Sequence, residues 1–223
     1  MKAKADSDPL IRVELSIDQH QALKSAAARL HSEFADTFNP EIIERFVYSS
    51  YDQFADRATV HDFLALLAER FARQRLRALA KMEGKLTDDK PVVLFLCNHN
   101  AGRSQMAMGF CTDLTDDAAV AWSAGSEPQG ELNPAAITVM AERGIDISGE
   151  YPKPWTDEVI QAADVIITMG CGDAPPHLPG RRYEDWDLDD PDGKEAAEVR
   201  PIRDEIERRV RWLLRELRIP CRG

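Results

Sequence analysis

The sequence predicts an α/β domain with a doubly wound parallel sheet, preceded by a small all-α bundle of three helices. Two short apolar runs, residues 92–96 and 164–169, have the length and β-branched content of strands buried on both faces. Segments with helical spacing separate the predicted strands, and this alternation is typical of parallel sheets. Residues before the first run carry helical patterns alone. The polar stretch 85–90 therefore divides the chain into a bundle, residues 1–88, and an α/β domain, residues 89–223.

Three amphipathic segments build the predicted bundle, at residues 16–34, 41–54 and 59–83. Ser16 is a candidate cap for the first helix, and the pair Asn39-Pro40 starts the second. Apolar and aromatic residues at helical spacing indicate a core, and the histidines of the bundle lack the spacing of metal ligands. These residues are expected to be structural, and no function of the bundle follows from the sequence.

The α/β domain is predicted to alternate strands and helices. In chain order these are a strand at 92–96, a helix opening at Ser104, a strand at 119–123, a helix at 133–143, a short helix at 157–162 capped by Thr156, a strand at 164–169 and a closing helix at 200–217. Residues 144–147 are predicted as a short connector or strand, and residues 183–193 as an acidic loop. Because ligands of such sheets bind at the carboxyl ends of strands, the residues after each strand are the candidate functional residues.

The candidate site begins at Cys97, where the first apolar strand ends. Five residues separate this cysteine from Arg103, and good helix formers follow. A loop this short between a strand and a helix turns its amide N–H groups inward, and the helix start adds positive potential. The spacing therefore predicts an oxyanion-binding loop, built from Asn98, His99, Asn100, Ala101, Gly102, Arg103 and Ser104.

Cys97 is predicted to be the nucleophile of this loop. The positive field of the loop and the guanidinium of Arg103 favour its thiolate form, and Ser104 can steady that thiolate by a hydrogen bond. Arg103 also offers a planar fork that matches two oxygens of a phosphate-like anion, which lysine does not reproduce. The pattern indicates nucleophilic attack on a bound oxyanion.

The same residues carry a resemblance to a known family. The segment CNHNAGRSQMA resembles the active-site loop of the low-molecular-weight protein tyrosine phosphatase superfamily, and its SQMA ending resembles the thiol-dependent arsenate reductase branch. The resemblance extends over about residues 90–218. It implies reduction of arsenate to arsenite, with phosphate or sulfate as substrate mimics, no bound cofactor or metal, and an external thiol reductant.

A reductase of this kind needs a second thiol, and Cys171 is the leading candidate. It follows a predicted strand, as Cys97 does, so both thiols are expected at the same edge of the sheet. Its flanking glycines indicate an accessible loop. Either a Cys97–Cys171 disulfide is reopened by a thioredoxin-like protein, or a small thiol, such as glutathione or mycothiol with mycoredoxin, completes the cycle. Cys111 is expected to be structural, and Cys221 is assigned no role.

The acidic loop 183–193 holds the candidate general acid. Members of the family carry this acid in an Asp-Pro element, and the resemblance places it on Asp190, with Asp189 beside it. A carboxylic acid there would protonate the leaving oxygen, which accelerates such reactions about 10²–10⁴-fold. Crowding of carboxylates and removal from water are expected to keep one of them protonated.

The chain departs from family patterns at three places. Pro175 stands where related reductases often have a further cysteine, which argues against a relay of three thiols. Met108 and Lys153 stand where some thioredoxin-coupled relatives bind potassium through acidic residues, so no bound potassium is expected. Asp192 and Gly193 replace the aromatic pair that usually follows the acid in tyrosine phosphatases, and this argues against a deep phosphotyrosine slot.

Composition and charge limit the binding partners and the cellular compartment that we expect for this protein. The net charge is −11, and most of the acidic excess lies after residue 88, which opposes binding to nucleic acid or anionic membranes. No apolar run approaches the ~18 residues of a membrane span, and the N-terminus lacks the apolar region of a signal peptide. Four cysteines without a C-x-x-C pair indicate reduced thiols and not a disulfide framework. A cytoplasmic protein is expected.

Two other functions use the same loop. A phosphatase acting on aryl phosphate or phosphotyrosine needs the loop and no second thiol. An oxyanion-sensing or binding module, in which the bundle recruits a partner, needs the loop and no turnover. The sequence favours arsenate reduction, because the oxyanion loop, its SQMA ending and a second thiol occur together.

Overall fold

The computed structural model describes residues 15–55, 63–86, 90–128, 130–170 and 175–222. The chain forms two compact units, Met1–Leu86 and Thr87–Gly223. The boundary predicted at residue 88 lies outside the described residues. Within the described ranges, none of the helices is both long and apolar enough to span a membrane.

The first unit is a bundle of three helices. They are α1 (Ile17–Phe34), α2 (Pro40–Ala55) and α3 (Leu64–Met82). Ser16 caps α1 as predicted, because its hydroxyl accepts from the Gln19 N–H at 3.2 Å while the Gln19 side chain accepts from the Ser16 N–H at 2.8 Å. Asn39 caps α2 by accepting from the Ile42 N–H at 2.9 Å. The start predicted for the third helix, residue 59, lies outside the described residues.

A buried carboxylate joins two helices of the bundle. Glu69 on α3 is 5% exposed, and its oxygens pair with Arg29 on α1 and with Arg73 one turn further along α3. Burial by itself raises the pKa of Glu69, but hydrogen bonds and charge from the two arginines lower it overall. A carboxylate at this depth is tolerated because it is fully paired.

The second unit is built around four parallel strands. In chain order its elements are β1 (Val92–Cys97), α4 (Arg103–Thr115), β2 (Val120–Gly125), α5 (Pro134–Ala141), α6 (Asp157–Ala162), β3 (Val165–Thr168), β4 (Arg182–Asp185) and α7 (Ala196–Glu216). The strand order is β2-β1-β3-β4, with Leu96 of β1 opposite Ala124 of β2 and Thr168 of β3. The predicted α/β fold, with its parallel sheet and N-terminal helices, is confirmed.

β1 is the strand that positions the site. Its residues are all buried, because strands pair with it on both sides and apolar side chains pack against it. The ring of Phe95, for example, lies 5.9 Å from that of Trp186. The chain leaves β1 toward β2 on one side and returns to β3 on the other. The carboxyl end of β1 is therefore the point where the strand order reverses, and ligands of such sheets bind there.

The strand β4 was not predicted. It lies partly inside the stretch 183–193, which the sequence predicts as an acidic loop. Its residues, RYED, are polar and largely half-buried, because β4 forms the edge of the sheet and, among the residues that the structure describes, pairs with β3 alone. No apolar run marks such a strand, so hydrophobic periodicity does not detect it.

The start of α7 and the capping of α6 also differ from the prediction. α7 begins at Ala196 and not near residue 200, because Glu195 and Glu198 form a capping box ahead of Pro201. Thr156 precedes α6 as predicted, but its side chain makes no capping hydrogen bond. The Thr156 hydroxyl is buried and has no hydrogen-bond partner among the described residues.

Residues 89–223 expressed alone are expected to fold and to keep the reactivity of Cys97. The apolar core of this unit is drawn from residues 93–219, and the core of the bundle from residues 23–80, so the cut removes no member of either cluster. Circular dichroism melts and thiol labelling, with the full chain as control, measure this. A fragment that is unfolded, or folded but unreactive at Cys97, would contradict the boundary.

Candidate active site

Cys97 is the last residue of β1, and a short loop leads from it to α4. The cysteine is buried, with 4% of its surface exposed. Asn100 in the loop has a φ of +49°, a left-handed conformation that asparagine adopts more readily than most residues. The turn brings the chain round to Arg103, the first residue of α4. The unpaired N–H groups of the first helical turn and its dipole therefore adjoin the loop.

The carbonyl groups of the loop are held on its outer side. Asn98 O accepts from the Glu127 N–H at 2.9 Å, and Ala101 O accepts from the Asn133 N–H at 2.9 Å. In a trans peptide the C=O and the following N–H point in opposite directions. Fixing these carbonyls outward therefore turns the next N–H groups inward, which is the arrangement of an anion-binding nest.

A directed chain of hydrogen bonds ends on the sulfur of Cys97. The main-chain N–H of Lys153 donates to Asn100 Oδ1 at 3.0 Å, so the Asn100 amide must present its Nδ2 elsewhere. That Nδ2 donates to Ser104 Oγ at 2.8 Å. Ser104 Oγ lies 2.9 Å from Cys97 Sγ, and either atom can be the donor of this hydrogen bond. A thiolate has no hydrogen to donate, so in that form the sulfur is the final acceptor of the chain.

Lys153 is a buried cation next to the loop, a role that no sequence pattern indicates. The residue is 2% exposed, and its Nζ lies 3.3 Å from Ser123 Oγ, 3.4 Å from the Tyr151 carbonyl and 4.7 Å from the centre of the Tyr151 ring. The Glu150 carboxylate is 3.9 Å away. Lys153 sits in an irregular segment between prolines, so neither periodicity nor motif spacing marks it. Lys153 is also the residue that, in the sequence analysis, stands in place of an acidic potassium ligand.

Arg103 is buried across the carboxyl end of β3, and 6% of it is exposed. Its Nη1 donates to Met169 O at 3.0 Å and to Leu188 O at 3.2 Å, and its Nη2 donates to Asp190 Oδ2 at 2.6 Å. Among the described residues these contacts occupy three of the five N–H donors of the guanidinium. The remaining donors can bind an oxyanion while the two carbonyls keep the group in place.

Asp190 meets the loop through this ion pair with Arg103. Its side chain is 49% exposed, whereas that of Asp189 is 83% exposed and lies 3.7 Å from Lys194 Nζ. The two carboxylates therefore pair with different cations. Asp190 is thus half exposed and paired with a guanidinium, so the burial and the crowding of carboxylates that the sequence led us to expect are not found at this side chain.

Gly125, the last residue of β2, lies in close contact with the backbone of the loop. A Cβ at this position would lie 2.4 Å from Asn98 O and 2.9 Å from both Asn100 N and Cys97 O. Its N–H donates to Lys153 O at 3.0 Å. The strand predicted from the sequence ends at residue 123 and leaves Gly125 in the loop that follows, although a glycine that closes a strand is a signal of close backbone approach.

Cys171, the candidate second thiol, lies outside the described residues. Gly170 before it is described, and its N–H donates to Asp185 Oδ1 at 3.3 Å. A Cβ built on Gly170 would lie 4.0 Å from Arg103 Nη1. Because β1 and β3 are neighbouring parallel strands, the chain enters the Cys171 segment beside Arg103.

The other predicted residues lie in different settings. His99 is half-buried in the loop, Cys111 is fully buried in the core, and Cys221 is exposed. Burial raises the pKa of the Cys111 thiol to about 12. Across the ranges that the structure describes, no group of three or more His, Cys, Asp or Glu side chains is placed to hold a metal ion.

Comparison with known proteins finds similarity over both units. Residues 92–220 match the family model described as low molecular weight phosphotyrosine protein phosphatase, and residues 23–80 match one described as protein-tyrosine-phosphatase-like, N-terminal domain. A putative arsenate reductase of Halobacterium salinarum is 37% identical over 122 residues, which are 52% of this chain and 85% of that protein. A glutaredoxin arsenate reductase of Synechocystis is 38% identical over 128 residues, 56% of this chain and 97% of that protein.

A solved structure extends this similarity through the N-terminal bundle. The thioredoxin-dependent arsenate reductase of Corynebacterium glutamicum is similar with a TM-score of 0.80 and 41% identity, covering 89% of this chain and 97% of that one. The resemblance inferred from the loop sequence is confirmed.

Replacing Gly125 by alanine is expected to weaken phosphate binding at least about tenfold, because the new methyl group would push the loop carbonyls and amides out of place. Isothermal titration with phosphate measures this. Gly149→Ala is the matched control, since a Cβ at that position would meet nothing within 4 Å. Equal affinities in both variants would show that the loop does not depend on its contact with β2.

Cys111 is expected to resist alkylation in the folded protein at about pH 8. Its pKa is raised to about 12, so the thiol stays protonated and unreactive far above that pH, and burial also blocks the reagent. Peptide mass mapping after iodoacetamide treatment should find Cys221 modified and Cys111 intact, with both modified after denaturation. Labelling of native Cys111 would contradict its place in the core.

Proposed function

This chain belongs to the low-molecular-weight phosphotyrosine protein phosphatase family, and we propose that it reduces arsenate to arsenite. The observation that carries the proposal is the hydrogen-bond chain ending on Cys97 Sγ, one short loop away from the arginine fork. A nucleophilic sulfur and an oxyanion site are thus joined at the edge of the sheet where the chain enters the Cys171 segment. The arsenate reductases among its relatives support the same activity.

In the first step the Cys97 thiolate attacks the arsenic of bound arsenate. The guanidinium of Arg103, the main-chain N–H of Ser104 and the N–H groups that the loop turns inward hold its oxygens. The incoming anion replaces the Asp190 carboxylate on Arg103. Released from its cation, Asp190 takes up a proton and delivers it to the departing hydroxide, which leaves as water. The product is an adduct with a sulfur–arsenic(V) bond.

In the second step a second thiolate attacks the sulfur of Cys97. A sulfur–sulfur bond forms and the sulfur–arsenic bond breaks, with its electron pair remaining on arsenic. Arsenic is reduced from As(V) to As(III) and the two thiols are oxidised to a disulfide. Arsenite leaves, and an external thiol reductant reopens the disulfide by exchange.

Cys171 is the proposed second thiol, and a thioredoxin-like protein is the proposed reductant. The position of Gly170 next to Arg103 supports the first choice. The second is supported by the thioredoxin-dependent reductase of C. glutamicum, which is similar over both units. Mycothiol with mycoredoxin, or glutathione, attacking the Cys97 adduct directly is the alternative route.

A phosphatase is the second candidate function, because the loop, Arg103 and Asp190 suit attack on phosphorus equally well. The residues after Pro191 disfavour it for phosphotyrosine. Asp192 and Gly193 are both exposed in a turn, and no aromatic side chain there offers a wall for a substrate ring. A binding module without turnover is the third candidate.

Arsenate, thioredoxin, thioredoxin reductase and NADPH should together yield arsenite with the wild-type chain and none with Cys97→Ser. Cys171→Ser should form one Cys97 adduct and stop, because no internal thiol releases arsenite. Arsenite is measured by chromatography with elemental detection, and disulfides are located by peptide mass mapping. Cys221→Ser is the matched control, an exposed cysteine whose loss should leave turnover unchanged.

Each alternative has its own outcome. Turnover with mycothiol and mycoredoxin that survives Cys171→Ser would replace the internal relay by the small-thiol route. Efficient hydrolysis of para-nitrophenyl phosphate without any arsenite would favour the phosphatase. Oxyanion binding without either activity would favour the binding module.

A further inference from the structure

Asn133 lies between the two loops that form the candidate site. They are the oxyanion loop, residues 98–104, and the loop between β4 and α7, residues 186–195, which carries Asp190 and is called the acid loop below. Its main-chain N–H donates to Ala101 O in the oxyanion loop at 2.9 Å. Its side-chain Nδ2 donates to the carbonyl of Pro191, the residue after Asp190, at 3.0 Å. Its Oδ1 accepts from the Ala136 N–H at 3.0 Å and so caps α5. One residue thus ties the oxyanion loop and the acid loop to the start of one helix.

The orientation of the Asn133 amide is fixed by its partners. The Ala136 N–H can only donate, so Oδ1 faces the helix, and the Pro191 carbonyl can only accept, so Nδ2 faces the acid loop. Aspartate and serine cap helices about as well as asparagine. Aspartate has no donor for Pro191, and serine lacks the second polar atom. Of these three residues, only asparagine can both cap α5 and donate to the Pro191 carbonyl.

The acid loop also rests directly on the oxyanion loop. A Cβ at Gly102 would lie 2.6 Å from Pro191 Cγ, so the proline ring packs onto the glycine next to Arg103. The Pro191 carbonyl accepts a second hydrogen bond from the Lys194 N–H at 3.2 Å, and Asp190 Oδ1 accepts from the Asp192 N–H at 3.1 Å. Holding the Pro191 carbonyl therefore holds the whole turn that carries Asp190.

The anchor lies in the core, whereas the acid carboxylate does not. α5 is fixed in the core by Ala136, Val139 and Met140, each with 0% exposure. The side chain of Asp190 is 49% exposed, so burial alone does not define its position. The hydrogen bond from Asn133, the cap of this core-anchored helix, to the Pro191 carbonyl fixes the position of the turn that carries Asp190.

We propose that Asn133 is a positioning residue of the reaction: its amide sets the place of Asp190 over the oxyanion loop. The inference rests on the proposed function, because it takes Asp190 to be the proton donor. An error of about 1 Å in the place of a reacting group costs on the order of 10²-fold in rate. Removal of one of the tethers on this turn is expected to cost less, about tenfold.

The test compares Asn133→Ser with Asn39→Ser in the full chain. Both replace the asparagine of an Asn-Pro helix cap, but Asn39 lies in the bundle and caps α2. Serine keeps each cap, so both variants should melt within a few degrees of the wild type. Asn133→Ser should lower the rate of arsenite formation about tenfold while phosphate affinity changes less than about twofold. Asn39→Ser should change neither.

A double-mutant cycle with Asp190→Asn tests this inference separately from the proposed function on which it rests. If Asn133 acts through Asp190, the loss caused by Asn133→Ser disappears when Asp190 is already asparagine. Losses that multiply, a normal rate in Asn133→Ser, or phosphate affinity that falls along with the rate would overturn the inference and leave the proposed function standing. A normal rate in Asp190→Asn would overturn the proton donor, and the inference with it.

Discussion

The site depends on the hydrogen bonds that keep the loop carbonyls of residues 98 and 101 turned outward. Each peptide group has one donor and one acceptor, so a loop can offer its N–H groups to an anion only if its carbonyls find partners elsewhere. Here the partners are main-chain N–H groups of Glu127 and Asn133, beyond the end of β2 and at the start of α5. The close approach of Gly125 leaves no room for the loop to relax. The positive potential at Cys97 is therefore a property of the packed sheet edge.

In the proposed function, this local arrangement lets an acidic chain bind an oxyanion. The chain carries a net charge of −11, and its overall field opposes a negatively charged ligand. Against that field the site places Arg103 and Lys153, both nearly fully buried, beside the first turn of α4. Buried charges are screened less than surface charges. Next to the loop, their attraction for an anion is therefore screened less than the repulsion from the surface carboxylates.

In the proposed reaction, the ion pair of Arg103 with Asp190 links oxyanion binding to proton donation. A guanidinium that is already held by two carbonyls needs little rearrangement to exchange one anion for another. The exchange also frees the carboxylate at the moment when a proton donor is needed. In the proposed reaction, one arginine thus orients the substrate and controls when Asp190 takes part.

The sequence by itself determined the fold class and the core of the site. A buried strand, a loop of fixed length, an arginine and a helix are contiguous, and their geometry follows from local rules, so Cys97, Asn100, Arg103 and Ser104 could be read as one unit. The caps at Ser16 and Asn39 were predictable for the same reason.

Only the tertiary structure decided what surrounds that unit. Lys153, Gly125 and Asn133 reach the loop from segments far along the chain, and their contacts depend on how strands and helices pack, which no local pattern encodes. The edge strand β4 escaped detection because its polar residues pair on one side only. The resemblance proposed Asp190 as the acid but did not indicate its pairing with Arg103, because the partner of a half-exposed carboxylate is set by the loops that meet there.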